Sequence, residues 1–132
     1  MPRNQSEKDV PTEVWEDGTR VWRDREGRRH REDGPATIYT NGYNEWWLNG
    51  KLHRDDGPAV ESPTGYKAWY RRGRRHREDG PAVEHRDGTK EWMVEGRRHR
   101  EDGPAVVHQG WPNEWWVHGR RMRIKERSAN AA

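Results

Sequence analysis

Four histidines recur every 23 residues, His30, His53, His76 and His99, and each is followed three residues later by an aspartate, Asp33, Asp56, Asp79 or Asp102. Imidazole beside carboxylate is the pairing used for general acid–base work and for metal ligation, so this column is the first candidate for reactivity. Its spacing argues against both uses. If each repeat contributes two β-strands at ~4.8 Å, equivalent residues stand ~9.6 Å apart, whereas zinc holds its ligands at roughly 2.0–2.2 Å. Neighbouring histidines then cannot share one ion, and four equal His–Asp pairs are not one concave set of unlike groups. Asp-Gly-Pro is turn chemistry: the carboxylate accepts local backbone N–H groups and proline fixes φ before the next strand. The imidazole is expected to bond a neighbouring backbone group or carboxylate. No GxSxG, P-loop or HExxH motif is present, and the reading is of a non-enzyme with no catalytic residue, no metal site and no cofactor.

A second column, Arg31, Arg54, Arg77 and Arg100, continues as Arg123. Arginine ladders beside aromatic rows suit phosphate neutralisation and base stacking, which makes nucleic-acid or nucleotide binding through these arginines the alternative function. The acidic pairs Glu32-Asp33, Asp55-Asp56, Glu78-Asp79 and Glu101-Asp102 flank the same positions and favour a solvated ion-pair ladder instead. The whole chain repeats that balance, with 26 Lys and Arg against 23 Asp and Glu and a net charge of +3. His85, His108 and His118 show no recurring partner and read as surface positions. Without cysteine there is no disulfide frame, and neither a signal peptide nor a membrane span is visible, so the cytoplasm is the expected location.

The elements that carry these columns follow from the period. GRRHREDGPA stands at residues 27–36, returns unchanged at 73–82 and 96–105, and appears as GKLHRDDGPA at 50–59. Twenty-three residues suit one β-hairpin with its connection, and a lone hairpin is barely stable, so each copy needs its neighbours. Only 28% of residues are hydrophobic and 37% are charged, a balance near that of disordered chains, but nine tryptophans at partly regular spacing give the array large rings to bury. The expected fold is an all-β, elongated, single-layer antiparallel β-meander over residues 13–125, with a flexible lead-in at 1–12 and a flexible tail at 126–132. Asn41-Gly42, Thr64-Gly65 and Asp87-Gly88 are two-residue turn candidates, with Gly110-Trp111 in the fourth copy. Closing the hairpins there sets Thr37 against Trp46, Val60 against Trp69, Val83 against Trp92 and Val106 against Trp115, with Leu48, Val94 and Val117 continuing that face. Trp15 and Trp22 fall off these columns, marking the first copy as a modified end unit. By alternation the opposite face carries Trp47, Tyr70, Met93 and Trp116. That row is the predicted partner-binding surface unless the sheet rolls to bury both faces.

The pattern W-x3-G-x2-H-R-[ED]-D-G-P-A, read from Trp46, Trp69 and Trp92 through Ala59, Ala82 and Ala105, resembles a MORN-like repeat variant of uncharacterised phage, giant-virus and bacterial proteins. The resemblance covers roughly residues 13–123 and implies an elongated single-layer sheet that serves as a protein scaffold, with lipid contact in some members. The chain departs from that pattern where Arg31, Arg54, Arg77 and Arg100 replace the glycine that usually follows the histidine, and in the added Gly-Pro-Ala. Lipid binding is not expected, because no basic amphipathic helix is present. A phage or mobile-element origin would imply an inhibitor or adaptor acting on a host protein in the host cytoplasm. The expected partner is thus a protein, with a homodimer through the sheet face or edge as a further form.

Overall fold

The computed structural model describes residues 9–123 and 127, so the lead-in before residue 9 and the tail apart from Arg127 lie outside it. Seventeen two-residue strands follow one another: β1 (Glu13–Val14), β2 (Arg20–Val21), β3 (Thr37–Ile38), β4 (Asn44–Glu45), β5 (Trp47–Leu48), β6 (Lys51–Leu52), β7 (Val60–Glu61), β8 (Lys67–Ala68) and β9 (Tyr70–Arg71). The array continues with β10 (Arg74–Arg75), β11 (Val83–Glu84), β12 (Lys90–Glu91), β13 (Met93–Val94), β14 (Arg97–Arg98), β15 (Val106–Val107), β16 (Trp116–Val117) and β17 (Arg120–Arg121). Nine of them form one open antiparallel meander in the order β1-β2-β3-β4-β7-β8-β11-β12-β15, two strands per repeat. The other eight pair as four small hairpins, β5 with β6, β9 with β10, β13 with β14 and β16 with β17. The repeat expectation therefore holds, and each repeat adds a second, shorter hairpin to it.

The pairing register differs from the sequence expectation by one residue. Tyr39 N donates to Tyr43 O and Gly42 N to Tyr39 O, which closes a three-residue loop with Gly42 at φ 86°. Ser62–Tyr66 and His85–Thr89 repeat it. This is a type I turn followed by a left-handed glycine, not the two-residue type I′ turn that Asn-Gly also favours. Thr37 consequently faces Glu45, Val60 faces Ala68 and Val83 faces Glu91. Because strand side chains alternate, a slip of one residue exchanges the two faces. Trp46, Trp69 and Trp92 thus point away from the valine column, while Trp47, Tyr70, Met93 and Trp116 share its side.

Type I′ turns do occur, at the tips of the small hairpins. Asn49, Arg72, Glu95 and His118 have φ of 49–51° and each is followed by a glycine at 78–82°. The first repeat replaces that turn with a three-residue loop, in which Asp24 N donates to Arg28 O and Gly27 N donates to Asp24 O. That insertion moves Trp22 by one position in sequence and hides its role. In space Trp22 belongs to the tryptophan column, since its N bonds Ala36 O and its O receives His30 N, as Trp46 does with Ala59 and His53.

Val21, Thr37, Val83 and Val106 are at most 1% exposed, and Val60, Ala68, Ala82, Val83 and Met93 form one buried cluster against which Tyr43, Leu52, Tyr66 and Tyr70 pack. Thr37 is the one threonine in the valine column, and its buried Oγ1 has no hydrogen-bond partner among the described residues. Replacing an orphaned buried hydroxyl by an isosteric methyl removes a desolvation cost, so Thr37→Val is expected to stabilise the fold by about 1 kcal/mol. A thermal melt checks this; a lower midpoint would show that the hydroxyl is satisfied.

Candidate functional site: the repeat junction and the aromatic row

The motif histidines lock each repeat to the next. His30 Nδ1 accepts the Asn49 amide at 2.9 Å, His53 the Arg72 amide at 3.0 Å, His76 the Glu95 amide at 3.0 Å and His99 the His118 amide at 2.9 Å. Every donor is the positive-φ residue of a type I′ tip, whose N–H points out of its own hairpin. With Nδ1 accepting, the neutral ring carries its hydrogen on Nε2, which faces Glu32, Asp55, Glu78 or Glu101 at 2.8–3.7 Å. Backbone bonds reinforce the junction: Gly73 N donates to Leu52 O and Arg77 N to Met93 O, with equivalents in the other copies. The expected bond from imidazole to backbone is thus present, and its partner lies 19 residues downstream.

The motif arginines are built in as well. The guanidinium carbons of Arg31, Arg54, Arg77 and Arg100 lie 3.9–4.0 Å from the ring centres of Trp22, Trp46, Trp69 and Trp92. Arg54, Arg77 and Arg100 donate Nε to Asp56, Asp79 and Asp102 at 3.1–3.2 Å and Nη1 to the carbonyls of Pro58, Pro81 and Pro104 at 3.0 Å. A Cβ on Gly57, Gly80 or Gly103 would meet the guanidinium carbon at 2.9–3.0 Å, so glycine leaves the space in which the plate lies. The string H-R-[ED]-D-G-P-A therefore encodes one junction: pin, plate, carboxylate brace and clearance. Over Trp115 the guanidinium plate is that of Arg127, 4.4 Å away.

The predicted binding row sits on the valine side, half-buried at Trp47, Tyr70 and Trp116 and buried at Met93. Its polar atoms are tied down. Trp47 Nε1 donates to Glu45 and Trp116 Nε1 to Glu114, while the Tyr70 hydroxyl accepts from Arg75 Nε. Arg29 and Arg98 lie over Trp47 and Trp116 at 5.4 and 5.2 Å. Glu45, Glu91 and Glu114 are the hubs, spaced 46 and 23 residues apart, with Ala68 in the second copy. His85 and His108, expected as unpartnered surface residues, bond Glu91 and Glu114 at 2.7 and 2.6 Å. The equal six-residue separation of each pair was the available signal, missed because the copies between 30 and 70 carry tyrosine or serine in the histidine position.

Burial would raise the Glu91 carboxyl, but His85 and the Arg98 guanidinium outweigh it and hold it below its ordinary 4.5. Glu114 is lowered chiefly by its bond from His108, and Glu95 chiefly by Arg71. A carboxyl lowered on folding stabilises above its unfolded value and loses that contribution as pH falls through its folded value. Melting temperature should accordingly hold from about pH 7 to about 5 and drop below about 4.5, with Glu91→Gln less stable at neutral pH and shallower in acid. An unchanged acid slope in Glu91→Gln would contradict the hub.

His99, Glu101 and His118 bring three potential ligand atoms within 4.8 Å of one another. The His118 backbone amide already takes the His99 Nδ1 lone pair, which leaves the ring hydrogen on the nitrogen facing Glu101. A metal there would have to displace both that hydrogen and the pin, so the cluster reads as part of the junction. Among the described residues no helix is long and apolar enough to cross a membrane. Comparisons with protein-family models, with curated proteins and with solved structures find no match for the chain.

Proposed function

We propose that this chain is a non-enzymatic repeat protein that binds a protein partner along the row Trp47, Tyr70 and Trp116, with Met93 as its floor. The observation that carries this reading is the fixing of the row: indole and phenol polar atoms are held by Glu45, Arg75 and Glu114, so the rings are preorganised while still partly open to solvent. Rigid, half-exposed aromatics with satisfied polar ends are the residues that dominate binding energy at protein interfaces. The motif histidines and arginines are committed to junction contacts, which favours recognition by the row over chemistry by the columns. The MORN-like pattern of the sequence suits such a role, and a phage or mobile-element origin would make the chain a host-protein inhibitor or adaptor. The test compares partners retained from a source-cell lysate by the wild type and by a folded Trp47→Ala, Trp116→Ala double variant. A partner depleted about tenfold or more by the double variant supports the row, and equal recovery contradicts it. Single-stranded DNA should not bind at about 50 mM salt; salt-sensitive binding lost on mutating Arg54 and Arg77 would restore the nucleic-acid alternative.

A further inference from the structure

A basic column distinct from the junction arginines runs along the small hairpins. Arg28, Lys51, Arg74, Arg97 and Arg120 recur every 23 residues, and all five are exposed. Each follows the glycine of a hairpin tip, and a Cβ placed on the tip glycine of the next repeat would meet the stems of Arg28, Lys51, Arg74 and Arg97 at 3.2–3.8 Å. The side chains are therefore ranked in order along the array. The acidic bends form a second ladder with the same period: Asp55, Glu78 and Glu101 are 72–87% exposed and touch only the Nε2 side of a motif histidine in the contacts described above.

We propose that these two ladders pair between molecules, the basic ridge of one copy lying along the acidic ridge of a second. Period and charge sign together select this partner. In the meander each repeat advances by two strands, so both ladders place a charge every ~9.6 Å. An extended peptide presents same-side residues about 6.6–6.8 Å apart and so meets only every second rung, and a DNA strand, whose every third phosphate falls about 10.2 Å along its axis, matches the basic ridge but is repelled by the acidic one. A second copy of this chain stays in step at every rung, with opposite sign. The contact uses neither the aromatic row nor the sheet edges, and it stands whether or not that row binds a protein.

Light scattering on the full chain, at about 0.1 mM protein in about 20 mM and about 500 mM NaCl, tests the pairing because exposed ion pairs weaken with ionic strength. The weight-average mass should exceed the 15.8 kDa of one chain at low salt and return to it at high salt. Lys51→Glu, Arg74→Glu and Arg97→Glu together should weaken association at least about tenfold, as should Asp55→Lys, Glu78→Lys and Glu101→Lys together. Combining both sets restores complementarity and should restore association, which separates lost pairing from lost folding. Trp47→Ala, Trp116→Ala should associate like the wild type. A monomer at low salt, association indifferent to salt, or no rescue in the combined variant would overturn the proposal. So would tight, ridge-dependent binding of a single-stranded oligonucleotide that displaces the second copy.

Discussion

Trp69→Ala is expected to lower stability by about 2–4 kcal/mol, the cost of removing a large aromatic ring from a packed, partly exposed site. The ring is the bed on which the Arg77 guanidinium lies at 4.0 Å, and that guanidinium in turn closes the Asp79-Gly80-Pro81 bend through Nε and Nη1. Losing the ring therefore frees the plate as well. Arg77→Ala alone should cost less, about 1–2 kcal/mol, from the cation–π contact and the two bonds. If the stack acts as one unit, the double variant will fall short of the sum by about 1 kcal/mol, a coupling that chemical denaturation of the four proteins resolves. Strict additivity would mean that the 3.9–4.0 Å stacking seen in four copies contributes shape alone.

Val83→Asp is expected to unfold the chain at room temperature. Val83 is fully buried between Ala68 and Glu91 on its two neighbouring strands. An aspartate there is desolvated and faces a carboxylate already engaged by His85 and Arg98. Leaving such a charge unpaired costs several kcal/mol, comparable to the whole stability of a small domain. Circular dichroism should show loss of the cooperative transition. Glu84→Asp, one residue along and on the opposite side, should leave the melt nearly unchanged; a stable Val83→Asp variant would mean that the valine column is not the core.

The array was legible from the 23-residue recurrence of His-Arg, Gly-Pro-Ala and the tryptophans, because a repeat needs the same junction residues at every step. The register was not. Asn41-Gly42 suits both a two-residue type I′ turn and a three-residue loop ending in a left-handed glycine, and those loops differ by the one residue that decides which face each side chain takes. The true type I′ tips at Arg72-Gly73, Glu95-Gly96 and His118-Gly119 lack the asparagine that would announce them, since their first residue is stabilised by a histidine from the preceding repeat. Trp22 was obscured by the longer Asp24–Arg28 loop. The columns singled out for chemistry were real columns, but their chemistry is used within the fold: the carboxylate three residues from each of His53, His76 and His99 accepts from the intervening arginine and not from the imidazole, which spacing alone does not tell.

The central claim is that each motif histidine holds the hairpin tip of the following repeat. Amide hydrogen exchange measures this directly, because Asn49, Arg72, Glu95 and His118 are exposed tip residues whose amides have no strand partner of their own. All four amides are expected to exchange at least about a hundredfold slower than loop amides such as Asn41, and His76→Ala should release Glu95 while leaving Asn49 protected. Four tip amides exchanging as fast as Asn41 in the wild type would contradict the account.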